Sequence, residues 1–266
     1  MNIARYVLAV AAVAAALALA LLPQKLVQTS GPDETPAVAL SPEEAELGPT
    51  IRSYLLKNPQ LLREMMASLQ SQDAAAAAEK RKAAFAEHKQ AIYNSDKEVV
   101  LGNPNGDVTL VEFFDYNCGY CRHALPDLLG LLDSDPKLRV VLKEFPVLGP
   151  GSQEAARVAV AVRRQAPEKY LAFHRAMLGS DQAADGARAL EVAKGLGLDM
   201  ARLSADLADP IVDETIDESM SLAQSLGIDG TPTYIVADSL VPGAVGRAAL
   251  ATMIKNARSC GKIACS

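Results

Sequence analysis

Apolar residues follow two different spacings along this chain, and together they predict strands and helices in an alternating order. The run 108–114 is apolar with hardly a polar break, which is typical of a strand buried on both faces. Further strands are predicted at 138–145 and 233–237, and helices at 152–226 and 247–258. With one more helix directly after the first strand, this order predicts an α/β fold with an inserted helical domain.

Two helices are predicted ahead of the first strand. Ser41 caps a helix that has Pro42 at its first position, and Asn58 and Pro59 begin a second helix, which is expected to continue to about residue 93. Their apolar residues are Ile51, Tyr54, Leu55, Leu61, Leu62, Met65, Met66 and Leu69. A two-helix hairpin cannot bury so much apolar surface within itself, so it needs a partner, which is either the main domain or further copies of the hairpin.

The chain begins with a pattern that is typical of exported proteins. Arg5 precedes an unbroken apolar, alanine-rich run at 6–22, which predicts a signal peptide or an uncleaved membrane anchor over residues 1–22. In either case the positive charge ahead of the run places the body of the protein outside the cytoplasm. Residues 23–40 are rich in proline and have no periodic pattern, so they are expected to form a flexible linker.

Composition and charge narrow the class of function. Half of the 266 residues (50%) are hydrophobic, which is ample for a sizeable core. The formal net charge of −6 argues against nucleic acid as a partner. The four cysteines are an even number, which is compatible with an oxidising compartment.

The candidate chemistry lies in the motif Cys118-Gly119-Tyr120-Cys121, which follows the first predicted strand where an amphipathic helix begins. A thiol at a helix N-terminus faces unpaired backbone N–H groups and the positive end of the helix dipole, and such sites lower a cysteine pKa to roughly 3.5–7.5. Cys118 is therefore predicted to be the nucleophile. Cys121 lies one turn further on and is predicted to close a disulfide with Cys118 and to resolve mixed disulfides.

Two metal-binding alternatives compete with this redox interpretation. A CxxC motif can be half of a zinc site, but no second CxxC and no histidine pair stand at metal spacing in the sequence. A Cu(I) site on the two thiolates is chemically possible. The order strand, CxxC, helix favours redox chemistry of the thioredoxin type, for which neither a metal nor a cofactor is expected.

From about Lys97 to the C-terminus, the chain resembles the DsbA-like thioredoxin-fold proteins. The motifs that carry this resemblance are VEFFDYNCGYC, VVLKEFPVLGP, KYLAFHRAML and GIDGTPTYIVADSLVPGAVG. Residues 41–70, with the motif IRSYLLKNPQLLREMMASLQ, resemble the N-terminal helical segment of the ScsC branch, the suppressor-of-copper-sensitivity C proteins. In that branch this segment can mediate trimerisation, and members include disulfide isomerases. The resemblance implies a thioredoxin fold at 95–266, with helical insertion 152–226, after a helical oligomerisation segment at 41–93.

The resemblance also assigns roles to residues far from the motif. Thr231 and Pro232 occupy the position of the family's cis-proline, which faces the two cysteines and the substrate. Glu112 matches the buried acid beneath the family's active site, where it can accept the proton of Cys121, and Lys143 matches the strand partner of that acid; the alternative for both is a structural ion pair.

Other positions are interpreted as structural. Cys260 and Cys265 lie at the end of the last predicted helix and are expected to form a local structural disulfide, with a second redox pair as the alternative. His123 is interpreted as a surface residue and His174 as a packing residue. The strongest oxidants of the family carry Pro-His between the cysteines, whereas this chain has Gly119-Tyr120, so its disulfide should be less oxidising.

The resemblance therefore implies a thiol–disulfide oxidoreductase of the periplasm or the outer side of the inner membrane. Its expected partners are cysteine-containing secreted or periplasmic proteins, a membrane redox partner and further copies of the same chain, most simply in a trimer. The reaction is expected to be disulfide isomerisation or reduction, or else disulfide oxidation. The competing function is that of a Cu(I)-binding copper-resistance accessory protein that uses the same two thiolates.

Overall fold

The structure is a computed structural model that describes residues 42–265, which fall into two compact units divided between Met66 and Ala67. The predicted signal or anchor and the predicted linker lie outside the described residues. Within the described part of the chain, no helix is long and apolar enough to cross a membrane.

The helices ahead of the sheet begin where the sequence predicts. Helix α1 is Pro42–Lys57, α2 is Pro59–Glu87 and the short α3 is Lys89–Tyr93. The second predicted helix is thus interrupted at His88, whose backbone leaves the helical region (φ −98°, ψ 14°). The predicted segment 41–93 does not coincide with the first compact unit, because that unit ends within α2.

A five-stranded mixed sheet forms the centre of the second unit. Its strands are β1 (Val99–Gly102), β2 (Val108–Phe114), β3 (Leu138–Glu144), β4 (Thr233–Val236) and β5 (Ser239–Pro242), and their order is β1-β3-β2-β4-β5. The strands β2 and β3 are parallel, while the other neighbours are antiparallel. The apolar strand β2 is central, as its sequence predicts; the edge strands β1 and β5 are not predicted from the sequence.

Helices separate these strands and cover the sheet. Helix α4 (Gly119–Ser134) joins β2 to β3, the insertion comprises α5 (Pro150–Gln165), α6 (Tyr170–Leu178), α7 (Gly186–Gly195), α8 (Met200–Leu207) and α9 (Ile211–Leu226), and α10 (Arg247–Cys260) follows β5. This is the predicted thioredoxin-type α/β fold with a helical insertion between β3 and β4.

The two faces of the sheet carry different side chains because successive residues of a strand point to opposite faces. On one face Leu110, Val140 and Tyr234 pack in a core that includes residues of α4 and α10. On the other face Val111 and Ile235 pack with residues of α2, α3 and α9. The site described next lies on the first face, at the carboxyl end of β2.

Candidate active site

Cys118 stands at the end of the loop that follows β2 and is the N-cap residue of α4. The residue is 6% exposed, and Cys121, one turn further along the helix, is 1% exposed. Both thiols are free. The first cysteine therefore lies at the start of a helix that follows the buried strand, as the sequence predicts.

The environment of Cys118 stabilises its thiolate. Its pKa is lowered to about 5, first by a hydrogen bond from the Cys121 side chain and then by Thr231 and by the backbone N–H groups of Cys121 and Tyr120, which outweigh the opposing effect of burial. Cys118 is therefore largely ionised at neutral pH.

Cys121 has the opposite electrostatic environment. Its hydrogen bond to Cys118 raises its pKa far above the usual range, and burial and the negative charge of Glu112 act in the same direction. One thiol is therefore a nucleophile while its neighbour keeps its proton.

The segment before β4 lies against the nucleophile. The peptide bond Thr231–Pro232 is cis, and Cys118 Sγ lies 3.2 Å from the carbonyl oxygen of Thr231, which accepts a hydrogen bond from the protonated form of the thiol. The carbonyl oxygen of Pro232 accepts from the N–H of Gly243 at 2.8 Å. The structure thus brings together Cys118, Thr231 and Pro232, as predicted.

Glu112 lies on the same face of the sheet as the two cysteines. Burial raises its pKa to about 8, while a hydrogen bond with the Tyr234 side chain acts in the opposite direction. Its Oε2 atom has no hydrogen-bond partner among the described residues. Tyr234 was missed in the sequence, although it lies directly opposite Glu112 on β4 and the alternation of that strand would have placed it on this face.

Lys143 is not the partner of Glu112, which corrects the prediction. In the parallel pairing of β2 with β3, Glu112 stands opposite Leu142, and Lys143 stands opposite Phe113. Lys143 therefore points to the other face of the sheet, where its Nζ atom lies 2.8 Å from Glu98 Oε1 and donates to the carbonyl oxygen of Ala91 at 2.6 Å.

The other predicted positions are His174, His123 and the cysteine pair near the C-terminus. The ring of His174 is buried and packs edge-on against Phe114 and stacked on Tyr170; burial lowers its pKa to about 3. His123 is exposed. Cys260 and Cys265 form a disulfide with a Cα–Cα distance of 6.1 Å at the end of α10.

Known families account for most of the described chain. A family model described as the DSBA-like thioredoxin domain matches residues 109–255. The chain belongs to the DsbA-like thioredoxin family. A second model, the N-terminal domain of the copper resistance protein ScsC, matches residues 43–76. The DsbA-like domain is accordingly of the thiol–disulfide oxidoreductase type.

Solved structures agree with this assignment. A thioredoxin-like oxidoreductase from Silicibacter pomeroyi DSS-3 is 47% identical, with 64% of this chain and 97% of that chain covered and a TM-score of 0.61. The catalytic domain of Proteus mirabilis ScsC is 28% identical over 67% of this chain and 98% of that one, with a TM-score of 0.62. A periplasmic thioredoxin-like protein from Salmonella enterica serovar Typhimurium is 29% identical over 64% and 95%, with a TM-score of 0.58.

The curated relatives include much longer proteins. The Na(+)/H(+) antiporter NhaA 3 of Salinispora tropica is 31% identical over 143 residues, which are 53% of this chain and 22% of the antiporter. The chain thus spans about a fifth of the length of such relatives.

Proposed function

We propose that the protein is a disulfide isomerase of the cell envelope, with Cys118 as its nucleophile and Cys121 as its resolving thiol. The observation that carries the proposal is the asymmetry of the two thiols: the pKa of Cys118 is lowered to about 5 and that of Cys121 is raised. A thiolate attacks disulfides whereas a thiol does not, so this asymmetry fits an enzyme that begins reduced.

Isomerisation proceeds by disulfide exchange. The Cys118 thiolate attacks a sulfur of a wrong substrate disulfide; a bond from Cys118 to that sulfur forms, and the other substrate sulfur leaves as a thiolate and takes up a proton. A different substrate thiolate then attacks the mixed disulfide and releases Cys118 as a thiolate, so no net electrons are transferred.

Cys121 resolves a mixed disulfide that no substrate thiolate has attacked. Its sulfur attacks that of Cys118, which forms the Cys118–Cys121 disulfide and leaves the substrate reduced by two electrons. Cys121 must lose its proton for this attack. Glu112 has a pKa of about 8, which is raised by burial and in part by the negative charge of Cys118. That charge is absent in the mixed disulfide, so more of Glu112 is ionised at this stage, and its carboxylate is the proposed proton acceptor. A membrane redox partner that supplies two electrons would then restore the two thiols.

Thr231 and Pro232 are the proposed boundary of the substrate site. The contact between Thr231 and the Cys118 sulfur supports this role, because a chain joined to Cys118 would lie close to that backbone. The proposed substrates are cysteine-containing secreted or periplasmic proteins. Export is supported by the apolar run 6–22 behind Arg5 and by the periplasmic description of the Salmonella relative.

The direct test is reactivation of scrambled ribonuclease by catalytic amounts of the reduced protein. Cys118→Ser should reduce the rate to background, whereas the double variant Cys260→Ser/Cys265→Ser, which makes the same change at the other cysteine pair, should keep full activity. A protein that binds one equivalent of Cu(I) and reactivates no ribonuclease would instead be a copper carrier, and the proposal would be wrong.

A further inference from the structure

The loop that leads from β2 to Cys118 is held by buried polar groups that the proposed chemistry does not use. Asp115 is 1% exposed, and its Oδ1 atom accepts from the N–H of Asn117 and from the hydroxyl of Ser152, each at 2.7 Å. Its Oδ2 atom accepts from the N–H of Leu148 at 2.9 Å. The carbonyl oxygen of Asp115 also accepts from the N–H of Cys118 at 3.0 Å.

Asn117, the residue directly before Cys118, joins this loop to the helical insertion. Its Nδ2 atom donates to the carbonyl oxygen of Ala184 at 2.8 Å and to Ser152 Oγ at 2.9 Å. Its Oδ1 atom accepts from the N–H of Ala184 at 2.8 Å. The amide thus pairs with both backbone groups of one residue that lies 67 positions later in the chain.

These contacts form a network without an unsatisfied member. The Ser152 hydroxyl donates to Asp115 and accepts from Asn117, so within the described part of the chain none of the three side chains has a buried polar atom without a partner. Buried networks of this kind fix a single geometry. By contrast, a polar link between α4 and the same segment of the insertion, Arg122 to Asp181, is exposed and 3.4 Å long, and such pairs contribute little.

We propose that Asn117 is the positioning residue for Cys118, and that the helical insertion, through Ala184 and Ser152, fixes where the nucleophile sits at the start of α4. The inference rests on the proposed function of Cys118, but it concerns what holds that residue in place. It makes the insertion a determinant of thiol reactivity as well as a cover for the sheet.

The physical reason is the geometry of the hydrogen bonds that reach the sulfur of Cys118. The Cys121 side chain favours its thiolate most, and the side chain of Thr231 and the backbone N–H groups of Cys121 and Tyr120 act in the same direction. Hydrogen bonds weaken steeply when distance and angle depart from their optimum. A loop that is free to shift at Asn117 would therefore hold Cys118 less well against these donors, and the thiolate would lose part of its stabilisation.

The first experiment measures the pH dependence of alkylation of Cys118 by iodoacetamide in the reduced full chain. We expect Asn117→Ala to raise the midpoint by about one pH unit, which corresponds to about tenfold less thiolate on the acid side of the transition. Asn103→Ala is the matched control, because the Asn103 side chain makes the same kind of contact with the backbone, to the carbonyl oxygen of Pro136, before β2 rather than after it. It should leave the midpoint unchanged.

The second experiment disturbs the network from the side of the insertion. A Cβ atom added at Gly151 would lie 2.8 Å from the carbonyl oxygen of Ala184, so Gly151→Ala must displace Ala184 while Asn117 stays intact. Gly195→Ala is the control, because its Cβ would meet nothing within 4 Å. We expect Gly151→Ala to shift the Cys118 midpoint in the same direction as Asn117→Ala, and Gly195→Ala to leave it in place.

The redox equilibrium with glutathione provides a second readout in the same variants. A less stable thiolate makes the disulfide less oxidising, so the equilibrium should move by about the same tenfold factor. If Asn117→Ala does not fold, Gly151→Ala and Ser152→Ala decide the matter. Midpoints equal to those of the controls would overturn the inference. A wild-type chain without ribonuclease activity would overturn only the proposed function, since alkylation reports on Cys118 independently of any substrate.

Discussion

The carboxyl group of Glu112 links the candidate site to the stability of the protein. Burial raises its pKa to about 8, whereas an unfolded chain has an ordinary glutamate. Between these two values the folded state binds the proton and the unfolded state does not, so stability is highest below about pH 4.5 and falls as pH rises to about 8. At pH 7 this linkage costs about 3 kcal/mol.

We therefore predict that Glu112→Gln stabilises the reduced protein by about 3 kcal/mol at pH 7 and hardly changes it at pH 4. Urea unfolding at both pH values measures the difference. Other buried acids, such as Glu98 and Glu144, also have raised pKa values. Their effect on stability is the same in the parent protein and in the variant, so it cancels in the comparison. Glu191→Gln, at an exposed carboxylate, is the control. Stability curves that stay parallel from pH 4 to pH 8 would show that Glu112 is not buried as a neutral acid.

Residue positions could be predicted where they depend on local sequence. The positions of Cys118 and Cys121 depend on a strand and a helix that are close neighbours in the sequence. The apolar run predicts the strand, and the CxxC spacing predicts the start of the helix. The contacts of Lys143 depend on the register between β2 and β3 and on the face of the sheet to which each side chain points. Neither can be derived from the sequence. Asn117 was missed because its partner Ala184 lies in a distant loop.

At the level of elements, long patterns were predictable, and among the three four-residue strands the sequence predicted β4, whose residues are all β-branched or aromatic, but not β1 or β5. The strand β2 has a strong apolar run, and α2 has a proline at its first position, which is a helix start signal. The strands β1 and β5 have only four residues each, too few for a period to emerge, and their place is set by pairing with β3 and β4. The interruption of the helix at His88 could not be predicted, because no glycine or proline stands at that position.

The buried ion pair of Lys143 with Glu98 fastens α3 to the sheet. The two side chains are 0% and 2% exposed, Ser219 donates to Glu98 at 3.0 Å, and Lys143 also donates to the carbonyl oxygen of Ala91 in α3. A cation near the C-terminal end of a helix is electrostatically favourable as well. The pair therefore holds an element on the face of the sheet opposite the two cysteines.

We predict that Lys143→Met, which keeps the size of the side chain and removes its charge, lowers the free energy of unfolding by about 3–5 kcal/mol because it leaves Glu98 buried without a cationic partner. Adding Glu98→Gln should restore most of the loss. Arg188→Met, at an exposed pair, should cost less than about 1 kcal/mol. Urea unfolding gives the free energies. Alkylation of Cys118 should be unchanged; an altered midpoint in the folded variant would return Lys143 to the active site.

At the scale of the whole molecule, the apolar side chains of α1 and the first part of α2 are exposed among the residues that the structure describes. The exposed fractions are Leu47 56%, Ile51 54%, Tyr54 59%, Leu56 72%, Leu62 54%, Met65 57% and Met66 53%. Each such side chain contributes about 1.5–3 kcal/mol when it is fully buried, so several of them together can offset the cost of association. The residues of this surface all lie within the segment 43–76, which matches the ScsC N-terminal domain.

The end of the first compact unit decides how oligomerisation must be tested. Phe85 and Ile92 are 5% and 0% exposed, and both pack with Val111 and Ile235 of the sheet. A deletion that reached residue 93 would strip the core of the catalytic unit as well as the exposed surface. Substitutions on the exposed surface avoid this problem, since they leave every core residue in place.

We predict that the protein lacking residues 1–40 is a trimer at micromolar concentration and that Ile51→Glu/Leu62→Glu makes it a monomer, because burying two carboxylates between chains is strongly unfavourable. Light scattering measures the mass. Several thiolates in one assembly have a high effective concentration for repeated attack on one substrate, so the monomer should lose ribonuclease reactivation while it still oxidises dithiols. Gln60→Glu/Gln72→Glu, which adds the same charge at exposed polar positions, should remain a trimer and an isomerase. A parent protein that scatters as a monomer, or a monomeric variant with full isomerase activity, would separate these helices from the reaction.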